Sequence, residues 1–139
     1  MRIVPFEPWH VLRMEVQNHQ MAVMKKITPE YLRVLALAGP AYSAIDHGEV
    51  LACAGIVEVQ GVHTLWGLLS RHAGRRIVRL DRCVRRMLNL KRYARVESTT
   101  EAGFTSGCRW LESLGFKAEA TLNDYVQPGE AHILYVRES

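Results

Sequence analysis

The segment Val50 to Val57, V-L-A-C-A-G-I-V, constrains the fold of this chain more than any other. It is apolar at every position, with none of the alternation that would leave one face wet. A strand of this kind belongs in the middle of a sheet that is covered on both sides. It therefore calls for flanking strands and for amphipathic helices on both faces, and the rest of the sequence contains candidates for each.

The elements follow from local chemistry. Residues 49–60 form the long strand around that apolar run, joined through the tight turn His47-Gly48 to a strand over 41–46. Gly61 turns the chain into a strand over 62–69. At the N-terminus, residues 2–6 read as a short strand, and Pro8 to about Lys26 is helical in character with a break around Asn18 to Gln20. Thr28-Pro29-Glu30 combines a capping hydroxyl with proline in the first turn, and the helix it starts stops at Gly39-Pro40. Residues 95–100 alternate as a strand does. Apolar positions 104, 108, 111 and 114 have helical spacing that ends at Gly115. Residues 117–122 and 132–137 are closing strands around a loop containing Pro128-Gly129. With no repeat, low-complexity stretch or linker, residues 1–139 read as one α+β domain: a mixed sheet with helices on both faces.

The stretch from Trp66 to Leu90 carries most of the functional information. An apolar strand runs into the turn Arg71-His72-Ala73-Gly74-Arg75-Arg76, and the turn opens into a long basic helix. A strand, a Gly-containing turn and a helix N-terminus together present backbone N–H groups and a positive dipole end to an anion. At about 100° per residue, Arg75, Arg79, Arg82 and Arg86 fall on one face, and Ile77, Leu80, Val84 and Leu88 fall on the opposite one. Two readings of the arginine face stay open: a solvated surface, or a stripe that binds phosphate or a protein partner.

Composition closes several other routes. No apolar run approaches the ~20 residues of a membrane span. Residues 1–8 lack the apolar core of an export signal, so a cytoplasmic location is expected. The three cysteines, Cys53, Cys83 and Cys108, are widely spaced in apolar settings and read as free thiols. The six histidines show neither HxxxH nor CxxC-type partners, so no metal is expected. There is no G-x-S-x-G and no P-loop Lys-Ser/Thr pair. The net charge of +4 permits a nucleic-acid partner, but aromatic residues do not interleave with the basic helix, so nucleic acid is not indicated.

Taken together, the order β-α-α-β-β-β-α-β-α-β-β, the Gly55 strand L-A-C-A-G-I-V, the Arg71 to Arg76 turn and the passage R-W-L-E-S-L-G-F (109–116) resemble the GNAT fold of acetyl-CoA-dependent N-acyltransferases. The finer pattern is similar to phage-encoded proteins of that fold, some of them acetyltransferases and others like the internal virion protein A of short-tailed phages. The resemblance implies a mixed, mostly antiparallel central sheet and acetyl-CoA as cofactor. The partners it implies are a small amine or protein acceptor for an enzyme, or phage structural proteins for an assembly component, which would place the chain in a virion.

The resemblance also implies site residues. Arg71 and Gly74 match the first two fixed positions of the family's phosphate turn, and Ala73, Arg75 and Arg76 complete it. Arg76 stands where a small residue is usual, so its side chain either swings out to meet the phosphate or fills the site. Leu68 and Leu69 stand where the family's strand offers backbone groups to the pantetheine arm. The tyrosine acid of the family is replaced by Leu111, next to Trp110. Tyr125 and Tyr135 are the substitutes available, and Glu58, His63 and Glu97 are candidate bases on strands near the expected cleft, each also readable as a rim charge.

Overall fold

The computed structural model describes the backbone of residues 1–139 and all side chains except those of Ala22, Val23 and Ile77. Ile77, expected on the apolar stripe of the basic helix, thus lies outside the described side chains.

In chain order the elements are β1 (Arg2–Pro5), α1 (Pro8–Leu12), a 3-10 turn (Asn18–Gln20), α2 (Met21–Met24), α3 (Pro29–Leu37), β2 (Ala41–Asp46), β3 (Glu49–Val59) and β4 (Val62–Leu69). A 3-10 turn at Gly74–Arg76 leads into α4 (Ile77–Leu90), followed by β5 (Arg95–Glu101), α5 (Thr105–Ser113), β6 (Lys117–Leu122) and β7 (His132–Glu138). The seven strands form one sheet in the order β1-β2-β3-β4-β5-β7-β6. Only β4 and β5 run parallel; the other neighbours are antiparallel. This is the expected mixed sheet with helices on both faces.

On one face α1 and α3 bring Val11, Leu32 and Leu35 onto Ile45, Val50, Cys53, Val57 and Leu68. On the other, α4 and α5 bring Val84, Met87, Leu88, Leu111 and Leu114 onto Ala54, Ile56, Leu65 and Val96. Leu111 is buried against Leu114 and Cys108, whereas Phe104 packs in a neighbouring cluster with Leu69 and Leu80. The Thr28 hydroxyl accepts from the Tyr31 N–H at 3.1 Å and caps α3, a contact worth about 1 kcal/mol. Gly55 is required by a close approach. A Cβ there would stand 2.7 Å from the Trp66 indole nitrogen and 2.8 Å from the Pro40 carbonyl oxygen.

The N-terminal helical stretch breaks earlier than its composition suggests. α1 ends at Leu12, residues 13–17 are not helical, and Val16 makes a bridge to Ser70. The expected break at Asn18 to Gln20 is instead a 3-10 turn. The cause is tertiary: backbone groups of this segment bond to the end of β4.

That end of the sheet is open. β4 and β5 pair only at His63↔Val96 and Thr64↔Glu97, after which the strands part. The N-terminus of α4 stands at the open end, because the turn from β4 leads directly into it.

Candidate functional site

The split leaves the outer edge of β4 without a strand partner from Leu65 onward, and the chain fills that edge with its own groups. The Ser98 hydroxyl donates to the Leu65 carbonyl at 2.9 Å, just past the last paired residues. The Gln20 side chain makes two bonds: its amide nitrogen donates to Gly67 O at 3.1 Å, and its oxygen accepts from the Leu69 N–H at 2.8 Å. Gln17 N donates to Leu69 O at 3.1 Å, and Arg71 N donates to Glu15 O at 2.9 Å. On the far side of the split, His19 stacks on Phe104 with centroids 5.2 Å apart and bonds Glu101 at the end of β5. Residues 15–20 therefore strap the split from one strand to the other.

Beyond the strap lies the turn. Ser70, fully buried, organises it: its hydroxyl accepts from His72 N at 3.0 Å and its carbonyl accepts from Ala73 N at 3.2 Å. Arg76 N donates to Ala73 O at 3.1 Å. Among the described residues no hydrogen bond from the N–H of Gly74 or Arg75 is present, so these two are the free donors of the turn. Gly74 has φ +53, a conformation that favours glycine, and nothing stands within 4 Å of where its Cβ would be. This part of the turn has room for an anion.

The arginines of the turn divide by partner. Arg71 pairs with Glu15 at 2.6 Å, and His72 reaches the same carboxylate at 3.2 Å. Hydrogen bonds from His72 and then Arg71 hold the Glu15 carboxyl below its usual pKa. Arg76 folds back, donating to Asp46 at 3.2 Å and to the His72 carbonyl at 2.6 Å, with Glu49 at 3.5 Å. Its guanidinium staples the turn to the β2–β3 hairpin. Arg75 is exposed, with no carboxylate partner among the described residues. Leu68 and Leu69 are buried on opposite faces of β4, and the backbone of Leu69 is the part bonded to the strap.

The candidate catalytic residues are not gathered at the split. Glu58 and His63 face each other across β3 and β4 at 3.7 Å, on the closed side of the pairing, and His63 packs on Tyr93. Glu97 turns to Arg95 at 3.1 Å. Tyr125 is exposed in the β6–β7 loop with its ring 5.6 Å from His132. Tyr135 is buried opposite Ser98 and donates to Glu112 at 3.2 Å. Burial first, then Cys108 and Glu112, pushes its pKa up, so the phenol keeps its proton. No group of three His, Cys, Asp or Glu among the described residues is placed to hold a metal ion, and no described helix is long and apolar enough to cross a membrane.

Sequence reasoning passed over Gln20, Ser70 and Ser98. Ser70 had a local signal, since a serine just before a Gly-containing turn is a natural backbone acceptor. Gln20 had none, because its partners lie 47 and 49 residues away.

The architecture as a whole is found in known structures. The chain superposes on smu.2055 from Streptococcus mutans UA159 with a TM-score of 0.77 at 13% identity, covering 99% of each chain. An N-acetyltransferase from Staphylococcus aureus Mu50 gives 0.75 at 12% identity, over 99% of this chain and 97% of that one. The ribosomal-protein-S18-alanine N-acetyltransferase from Escherichia coli gives 0.69 at 14% identity, over 99% and 92%. The fold is the GNAT fold. No protein-family model matches the chain, and no curated protein matches it. At these identities the likeness establishes the GNAT architecture, and nothing in it points to a phage particle.

Proposed function

We propose that this chain is an N-acyltransferase that takes its acyl group from acetyl-CoA bound in the β4–β5 split. The carrying observation is the combination of an open Gly74 turn with a β4 edge that bonds an amide. The Gly74 and Arg75 N–H groups, the α4 dipole and the unpaired Arg75 charge suit a pyrophosphate. Gly67 O and Leu69 N, now bonded to the Gln20 carboxamide, suit the amides of a pantetheine arm once Gln20 withdraws. Acetyl-CoA supplies a thioester that an amine attacks. The chain's own part is to position and to exclude water: the Ser98 hydroxyl holds the vertex of the split, and Phe104 and Leu69 wall it with apolar surface. With Leu111 buried and Tyr135 holding its proton inside the core, the proton donors that remain are Tyr125 and water.

A second reading has its own observation. Because the strap already meets the bonding needs of the β4 edge, the fold is complete without a cofactor and serves as a scaffold. Its form suggested by the sequence resemblance is an assembly protein of a phage particle.

Melting curves with acetyl-CoA separate the two readings. The enzyme reading expects a concentration-dependent rise in Tm, larger in Gln20→Ala and absent in Gly74→Glu. A flat response in the wild type and in Gln20→Ala, by melting and by calorimetry, selects the scaffold.

A further inference from the structure

A second cleft lies away from the split, on the other flank of α4. α4 covers the middle of the sheet, and toward its β1 side Ile3 and Tyr42 stay exposed. The groove between the helix and these two side chains encloses about 520 Å³, within the range of small-ligand sites. Its depth has a sequence cause. Ala44 stands opposite Ala52 in the β2–β3 register, and Ala54 stands opposite Tyr42. Three methyl groups line the floor where larger aliphatic side chains would have filled the space up to the helix. Ile3 and Tyr42 border the floor, and Met87 and Leu90 form the helix wall. Leu90 is 73% exposed, an apolar side chain with nothing to cover it.

The rim is charged. Arg79, Arg82 and Arg86 line the groove and are exposed. Four arginines elsewhere in the chain are neutralised, Arg71 by Glu15, Arg76 by Asp46 and Glu49, Arg85 by Asp81 and Arg95 by Glu97 and Glu119, while Arg75 at the start of the same helix face shares the unpaired state of the groove arginines. Among the described residues, no ion pair reaches the three at the groove. Three cations on adjacent helical turns repel one another until an anion arrives.

We propose that this groove binds a free medium-chain carboxylate, the acyl chain lying on the alanine floor beneath α4 and the carboxylate held by Arg79, Arg82 and Arg86. The guanidinium fork matches a carboxylate in geometry. From Arg79 to Leu90 the wall is about 16 Å long at the helical rise, room for a medium-length chain. A second copy of this protein fits poorly, since a two-fold contact through this face sets arginine against arginine. The proposal does not rest on the acyltransferase reading: no residue of the split takes part.

Laurate is the probe, with dodecanol as its uncharged counterpart. Calorimetry should show one laurate per chain, bound at least tenfold more tightly than dodecanol. Arg82→Glu with Arg86→Glu should remove that preference, and Tyr42→Glu, which places a negative charge on the floor, should abolish binding. Circular dichroism should show both variants folded. Cys83 lines the groove and reports independently: in a Cys108→Ser background, laurate should slow its alkylation. Equal affinity for dodecanol, or laurate affinity unchanged in the doubly reversed arginine variant, overturns the proposal. So does binding to phosphatidylglycerol vesicles, or to an acidic peptide, without binding to free laurate.

Discussion

The split and the groove both border α4, and they differ in what is left unmet. In the split, the polar groups of a strand edge are exposed by the parting of β4 and β5, and the chain answers each with its own: Ser98, Gln20, Gln17 and Glu15. In the groove, apolar surface and three positive charges have no internal answer. The physical reason lies in the cost of each deficit. A buried N–H or C=O without a partner costs about 1–3 kcal/mol, so an edge buried under a strap must be satisfied. Exposed arginines are solvated and apolar patches of this size are tolerated, so the groove can persist empty. A cleft satisfied from within binds by exchange, and its ligand must displace something. A cleft with unmet charge binds by addition.

The largest expected effect tests exchange at its anchor. With acetyl-CoA at 100 times its dissociation constant, the wild type should gain about 2.7 kcal/mol of stability. Gly74→Glu should lose all of it, since it adds bulk in a left-handed conformation and negative charge at the proposed anion site. A variant that is stabilised as the wild type is would move the anion site elsewhere.

Gln20→Ala comes next. Without ligand it should be less stable by about 1–3 kcal/mol, because Leu69 N–H and Gly67 O lose their partner at the part-buried edge. Acetyl-CoA should then bind more tightly than to the wild type. Destabilisation with unchanged affinity would make Gln20 a structural brace and not an occupant of the cleft.

A third effect acts through α1, which leads into the strap. His10 is buried, and its Nδ1 accepts from Glu7 N at 3.1 Å and lies 2.7 Å from Ser43 Oγ. Burial lowers its pKa below 6.5, and the Glu7 charge offsets this only in part. In the window between the lowered native value and 6.5, the unfolded chain binds more protons, so stability falls as pH falls through it. The carboxyls held low by partners, Glu15 and Asp46, lose their contribution only at more acid pH. The urea midpoint should therefore drop as the pH falls below about 6.5, and His10→Gln, which retains an acceptor, should flatten that limb. A wild-type midpoint constant across the window would mean that His10 is charged in the native state.

These two clefts were not equally legible beforehand. The elements around them were: β2, β4 and β6 have the bounds that turn residues and apolar patterning predict, and Leu80, Val84 and Leu88 are buried as their spacing requires. The arginine face followed from the same period. What escaped was pairing at a distance. Nothing near Gln20 says that it bonds β4, nothing near Arg76 says that Asp46 takes it, and alanines at 44, 52 and 54 reveal a groove only once β2 and β3 are in register. Periodicity places a side chain on a face, while its partner depends on which other segment the fold brings there.

The smallest expected effect is also the one that tests the contrast most directly. Arg79→Glu with Arg82→Glu reverses two charges that have no ion-pair partner among the described residues, so no described ion pair is broken. Exposed substitutions of this kind usually change stability by about 0.5 kcal/mol or less, and relief of repulsion with Arg75 and Arg86 works against any loss. The melting temperature should therefore stay close to that of the wild type, while Gln20→Ala, a neutral change of one side chain, moves it clearly. If the double reversal destabilises as much as Gln20→Ala does, these arginines have native partners, and the groove is satisfied from within as the split is. If it leaves stability untouched, the charge on this flank of α4 is met by solvent alone in the native fold, and the contrast with the internally satisfied split stands.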